Sequence, residues 1–254
     1  MSSSDVEKSW ADRIPDDQWR IYREVITGAR ARKISFAIGG AFAVATYTQI
    51  WRNTKDLDIY VLPEQRLEMI EILNRLGMQD YYDILPYDRR WIYRAFHDGT
   101  IVDIIWSMAN RRVEVDTGWF DRSTAIQARG DLLPIMPPEE LIWAKLFVLQ
   151  HDRCDWPDVL NLIYATREKL DWVHLLKRMG EDLPVLSAVL SIYSWLTPKS
   201  ATSIPGWVWE RLNLPKPTAE ALEYEDRSRA DLLDERPWFL PRLPEMHSDD
   251  DRLE

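Results

Sequence analysis

One cysteine, Cys154, stands in the whole 254-residue chain. That excludes an internal disulfide framework and any zinc site built from cysteines, and it leaves a reducing compartment, the cytoplasm, as the expected location. Long apolar runs are missing as well. The longest, "LIWAKLFVL" and "IVDIIWSM", reach about half the roughly 20 residues a spanning helix needs, and a charge interrupts each. The opening "MSSSDVEKSWADRIPDDQW" lacks both the basic and the apolar region of an export signal, so a soluble protein with no membrane partner is expected. Positive charge is in deficit: 32 Lys and Arg face 42 Asp and Glu, a formal charge of -10. A surface of that sign argues against broad binding to a phosphate backbone without a local basic patch. No repeat occurs at solenoid spacing, and low complexity is confined to the C-terminal "EMHSDDDRLE", which reads as a solvated, disordered acidic tail.

What is present is an ordinary globular share of apolar residues, 46%, over a length that fits one large domain or two modest ones. Apolar positions at helical spacing (Trp19, Ile21, Tyr22, Val25, Ile26) predict a helix over 15–31, with Gly28 as its stop. "ISFAI" then reads as a strand, Gly39-Gly40 as a turn, and "AFAVATYTQI" as a helix. "DLDIYVL" reads as a second strand, followed by a helix over about 64–76 that Gly77 closes. Two further strand-like runs flank Asp98-Gly99, a strong hairpin signal. From "MPPEELIWAKLFVLQ" onward the pattern is helical. The expected division is therefore an α/β domain over 1–136, a helical domain over 137–244 whose proline-rich part from 198 is an irregular wrap, and the tail over 245–254.

In a strand alternate side chains share a face, so Asp56 and Asp58 project together while Leu57 and Ile59 project oppositely. Two like charges at that separation drive one carboxylate to protonate or call for a cation between them, and magnesium suits such oxygen donors. The plainer alternative is pairing with Arg52 or Lys55 at a strand start. Three neighbours favour the cation. Gly39 and Gly40 fall where a strand gives way to a helix, a junction at which backbone N–H groups hold phosphate. Asp103 is a single acid inside an apolar strand, needing either a metal or a salt bridge to Arg89, Arg90 or Arg94. Arg52, Thr54 and Lys55 supply donors just before the acids.

Strand, Gly-Gly, helix, "TKDLDI" and a later apolar-flanked aspartate together resemble the nucleotidyltransferase superfamily that includes DNA polymerase beta and the aminoglycoside nucleotidyltransferases. "PPEELIWAKLFVLQHDRCDWPDVLNLI" is similar to the corresponding segment of bacterial abortive-infection toxin nucleotidyltransferases. The resemblance covers about 34–165. It implies an α+β fold: an N-terminal mixed-sheet nucleotidyltransferase domain with flanking helices, then a helical domain. It also implies Gly39 and Gly40 at the triphosphate, Asp56, Asp58 and Asp103 as ligands of two Mg2+ ions, and Lys145 with Asp155 or Asp158 as the later motif. Fifteen residues separate Gly40 from Asp56, more than in compact members of the superfamily, and "RCDWPD" carries a spacer before its first aspartate.

Read by themselves, the late residues have other uses. Lys145 is the only charge in "LIWAKLFVL" and either snorkels to the surface or meets an anion. Asp155 fits a helix N-cap, with Pro157 in the first turn and Asp158 near the third position, where Asp158 can also orient Lys145. The expected activity is transfer of a nucleoside monophosphate from a nucleoside triphosphate to a hydroxyl, with Asp103 as proton acceptor, the helical half closing over the nucleotide and Arg52, Thr54 and Lys145 as further nucleotide contacts. The acceptor is open among tRNA, protein and a small molecule such as an antibiotic. Arg20, Arg23, Arg30, Arg32 and Lys33 are a candidate patch for tRNA. The toxin resemblance carries with it an antitoxin partner, and a non-catalytic nucleotide-binding module on the same fold is the rival from another class. The thirteen tryptophans read as packing, since no basic alternation accompanies them.

Overall fold

The computed structural model describes residues 10–51, 54, 56–151, 153–218, 220 and 229. The acidic tail and most of the segment after 218 lie outside them. The chain divides into two compact units, one made of residues up to Thr46 with Trp51–Pro137, the other of Tyr47–Ile50 with the residues from Pro138.

In the first unit, α1 (Asp16–Ala31) has Asp16 and Asp17 in its first turn and Arg30 in its last, signs that complement the helix dipole. Its buried residues, Trp19, Ile21, Tyr22, Val25, Ile26 and Ala29, recur at the spacing that makes one face. Gly28 does not stop this helix. The helix runs on to Ala31, and the chain turns at Lys33, which has a φ of 57°.

Then come β1 (Phe36–Ile38), α2 (Gly40–Thr48), β2 (Asp56–Val61), α3 (Arg66–Arg75) and the short β3 (Gln79–Asp80). Gly28 is where α1 meets α3, since a Cβ there would sit 2.7 Å from Ile72 Cγ2. The hairpin of β4 (Ile92–His97) and β5 (Thr100–Ile105) turns on Asp98 and Gly99, both at positive φ, as a type I′ turn requires. After the single-turn α4 (Gly118–Asp121), a second hairpin of β6 (Thr124–Ala128) and β7 (Asp131–Ile135) turns on Arg129 and Gly130, again both at positive φ. That hairpin was not expected from the sequence.

The seven strands form one mixed sheet in the order β3-β4-β5-β2-β1-β7-β6. β2 with β5 and β1 with β7 are parallel, and the other pairs are antiparallel. Burial alternates along β2: Leu57, Ile59 and Val61 are inaccessible, whereas Asp56, Asp58 and Tyr60 are half-buried. One face of the sheet is therefore core and the other carries the acids. Trp10, Phe42 and Trp51 stack face to face in the apolar part of the unit, and Trp119 stacks on Tyr60. These tryptophans pack, as expected.

The second unit holds α5 (Pro138–Leu146), α6 (Trp156–Thr166), α7 (Trp172–Met179), α8 (Leu183–Leu196), α9 (Pro198–Ala201) and α10 (Gly206–Arg211). α5 packs on α6 and α7, and α8 packs on α6, α7 and α9. The stretch read as an irregular wrap thus begins with two short helices, whose Ala201, Val208 and Trp209 are buried. Proline at the first turn of α9 and immediately before α10 starts helices there and does not prevent them. Cys154 is exposed. Among the described residues no helix is long and apolar enough to cross a membrane.

Candidate active site

The centre of the sheet gathers the acids. β2 and β5 run parallel with Asp58 directly opposite Asp103, so both carboxylates leave the same face, and Asp56 joins them from two residues back. Asp103 is 1% exposed. β4 lies on the other side of β5 with Arg94 opposite Asp103, and the guanidinium takes both carboxylate oxygens: Nε donates to Oδ1 at 2.8 Å and Nη2 to Oδ2 at 2.5 Å. The same Nη2 lies 3.8 Å from Asp56 Oδ2. Arg94 is held well above the ordinary range of an arginine, first by its hydrogen bonds to Asp103 and then by the charges of Asp103, Asp56 and Asp58, against the opposing effect of burial. Of the three arginines offered as partners for Asp103, Arg89 pairs instead with Asp80 and Arg90 with Asp88.

Gly39 and Gly40 lie against Asp58. Gly39 N–H donates to the Asp58 carbonyl at 3.0 Å. Gly40 has a φ of +56°, and a Cβ on it would stand 1.6 Å from Asp58 Oδ2. Only glycine fits there, for want of space and for backbone conformation together. The long interval from Gly40 to Asp56 is taken up by α2 and the loop after it, so the spacing that departs from compact relatives still returns the chain to the same place. The N-terminus of α2 therefore starts beside the acids.

Thr54 donates its hydroxyl to Asp56 Oδ1. Gln18 on α1 donates its amide to the Tyr22 hydroxyl at 2.6 Å and to the Thr54 carbonyl at 3.3 Å, tying the loop before β2 to the helix. Burial pushes the Tyr22 phenol far up, and the charges of Asp56, Asp58 and Asp103 add to the shift although the Gln18 hydrogen bond opposes it. Tyr22 was read only as a core position of the first helix, and Gln18 was not singled out in the sequence. Their one trace is an i, i+4 pair of polar groups on a helix face that is otherwise apolar. Arg52 and Lys55 lie outside the described residues.

The donor chemistry suits a hard divalent ion: three carboxylates on one face, with Asp56 and Asp58 half-exposed and no soft ligand among them. As the side chains stand, Arg94 occupies the oxygens of the third acid, and among the described residues no three acids, histidines or cysteines close on one point.

Lys145, Asp155 and Asp158 belong to the helical unit. Lys145 is buried, and its Nζ donates to Asp155 Oδ2 at 2.7 Å and to Asp158 Oδ2 at 2.8 Å. Lys145, expected as a nucleotide contact, donates here to these two carboxylates. Asp155 stands at the N-cap position of α6, but its side chain makes no capping bond, which corrects the capping reading. Its oxygens serve Lys145 and Arg153 instead. Burial alone would raise the Asp155 carboxyl, and Arg153 and Lys145 outweigh it, holding the group below the usual carboxylate range. A second buried ionic cluster, missed in the sequence, joins Glu140 to His174 Nε2 at 2.5 Å and to Arg178 Nε at 3.3 Å. Nearby, Glu139 accepts from the Asp171 N–H at 2.7 Å. The consecutive glutamates of "PPEELIW" were the available signal, and helix-start preference concealed it.

A mixed seven-stranded sheet with flanking helices, and paired acids on the strand that follows a Gly-Gly turn, define an α+β protein of the nucleotidyltransferase kind. Residues 23–192 match the model of the family described as uncharacterised nucleotidyltransferase, and the chain belongs to that family. Among solved structures, it is similar to the antibiotic-resistance factor ANT(2'')-Ia, at 16% identity over 72% of this chain and 99% of that one, with a TM-score of 0.46. It is also similar to the lincosamide antibiotic adenylyltransferase LnuA, at 16% identity over 59% and 96%, with a TM-score of 0.43. A nucleotidyltransferase from Thermotoga maritima matches at 16% identity over 52% and 85%, with a TM-score of 0.40. No curated protein matches the chain.

Proposed function

We propose that the chain transfers a nucleoside monophosphate from a nucleoside triphosphate to a hydroxyl acceptor, dependent on Mg2+, with Asp56, Asp58 and Asp103 as the catalytic acids. The observation that supports the reading is the contact of the Gly39-Gly40 turn with Asp58, which brings a helix start, a kind of site suited to phosphate, beside a carboxylate suited to a divalent ion. Asp56, Asp58 and Asp103 would hold the divalent ions. Such ions supply charge neutralisation at the triphosphate and a lowered pKa for the acceptor hydroxyl. The N–H groups at the start of α2 bind and orient the triphosphate, and Gly39 and Gly40 let it approach closely. Thr54 fixes the rotamer of Asp56. The acceptor oxygen forms a bond to the α-phosphorus, the bond from that phosphorus to the bridging oxygen of the β-phosphate breaks, pyrophosphate leaves, and the hydroxyl proton passes to Asp103.

Between the possible acceptors, a small hydroxylated molecule is the better supported. The basic patch considered for tRNA is largely spent on neighbours: Arg23 and Arg30 pair with Asp131, and Arg32 pairs with Glu71. The toxin-like reading and an antitoxin partner gain nothing from these contacts. In the test, the protein is incubated with each labelled nucleoside triphosphate, Mg2+ and fractionated cell extract, beside an Asp58→Asn control. Label is expected in the small-molecule fraction with the native protein alone. Label in no fraction, with nucleotide affinity unchanged by Asp58→Asn, sinks the catalytic reading in favour of a binding module.

A further inference from the structure

Arg94 reaches two of the three acids, Asp56 and Asp103, and nothing in the proposed reaction uses it. Its geometry is specific. A planar guanidinium matches a carboxylate with two parallel bonds, and here both outer oxygens of Asp103 are engaged by one side chain opposite it in register. Asp103 itself is 1% exposed, so its carboxylate does not reach past Arg94 to bulk water. A divalent ion that took Asp103 as a ligand beside Asp58 would share an oxygen with that fork and meet the guanidinium's positive charge at close range.

We propose that Arg94 is a resident cation that competes with divalent metal for Asp103, a positioning residue that holds the third acid in place and yields it as metal enters. The proposal rests on the reading that Asp56, Asp58 and Asp103 bind metal. It sets an order: the first ion settles on Asp56 and Asp58, which are half-exposed, and engagement of Asp103 follows only as Arg94 lets go. The face of the Tyr81 ring lies 5.9 Å from Arg94 Cζ while the fork is closed, a second contact that favours the guanidinium in its resident position.

Mn2+ alone is the probe, titrated against the full chain with free ion followed by electron paramagnetic resonance. Arg94→Met is expected to tighten Mn2+ binding about tenfold, and Arg94→Lys, which keeps the charge but loses the fork, severalfold. Unchanged or weaker binding in both variants overturns the competition. Should Arg94→Met fail to fold, Arg94→Lys and a measurement on the native protein decide. The Arg94 Nε–H nuclear magnetic resonance signal is expected to move from its hydrogen-bonded position as Mg2+ saturates the site, and a signal indifferent to Mg2+ overturns the proposal. Asp58→Asn separates the two readings. If Mn2+ binding is insensitive to Asp58→Asn, both the metal site and the gate fall. If it is lost in Asp58→Asn yet unaltered by the Arg94 substitutions, only the gate falls.

Discussion

Gly40 shows most directly how one residue decides the site. It carries a left-handed backbone and a forbidden Cβ position at once, because the carboxylate of Asp58 already fills that space. Gly40→Ala is expected to destabilise the protein by about 1–3 kcal/mol and to abolish nucleotide transfer, measured by denaturant unfolding and by label transfer. Unchanged stability would mean that the turn relaxes freely. Asp58→Asn removes charge with little change of shape, so it is expected to leave the fold intact and to lower transfer by about 10²-fold or more. The two acids of β2 and the glycine pair were legible in the sequence because a strand's period of two and glycine's lack of a side chain are local facts. Arg94 was legible only as one of three candidates: the hairpin brings an arginine near Asp103, but which arginine faces it depends on register across the turn, and Arg89 and Arg90 find their own acids nearby.

Elements meet through single contacts that composition conceals. Gly28 looked like a helix terminus because glycine is a poor helix former, yet α1 continues through it so that α3 can come close. Replacing it tests that account with a change of sign. Gly28→Ala is expected to be neutral or destabilising in the native background, where Ile72 blocks the new methyl, but to stabilise by about 1 kcal/mol in an Ile72→Ala background, where helix propensity acts alone. A double-mutant cycle by thermal unfolding reads it, and additive effects would refute it. The first hairpin was legible because Asp-Gly supplies two left-handed positions cheaply. The second was not, since Arg129 adopts the same conformation without the usual residue type and Pro134 within β7 reads as a strand breaker. β7 tolerates it because its pairing with β1 is confined to Ile38 and Ile135.

Across the molecule the helical unit keeps its own buried charges. Asp155 sits below the usual carboxylate range because Lys145 and Arg153 face it, so its ion pairs stabilise the folded chain above the unfolded carboxyl value, about 3.9, and that contribution is lost as pH falls through the depressed folded value. Acid unfolding followed by circular dichroism should therefore shift toward neutral pH in Lys145→Met, with a loss of about 3 kcal/mol at neutral pH, because two carboxylates then lose their shared ammonium. An acid transition unmoved by the substitution would show the pair to be idle. At the same scale, the charge of -10 and the paired arginines of α1 and its C-cap lead to a simple expectation for RNA. A fluorescent tRNA is expected to show no saturable binding at physiological salt, and tight binding that weakens steeply with added salt would return a nucleic acid to the list of acceptors.

The β4–β5 hairpin also has a consequence for how the chain folds. Its two strands are joined by a two-residue turn, whereas β2 reaches β5 only after α3, β3 and β4 have intervened. Local pairings close sooner than distant parallel ones. Asp103 would then arrive at β2 already neutralised by Arg94, and the meeting of like charges that the site demands would take place with its counter-ion installed beforehand, by the order in which the chain assembles.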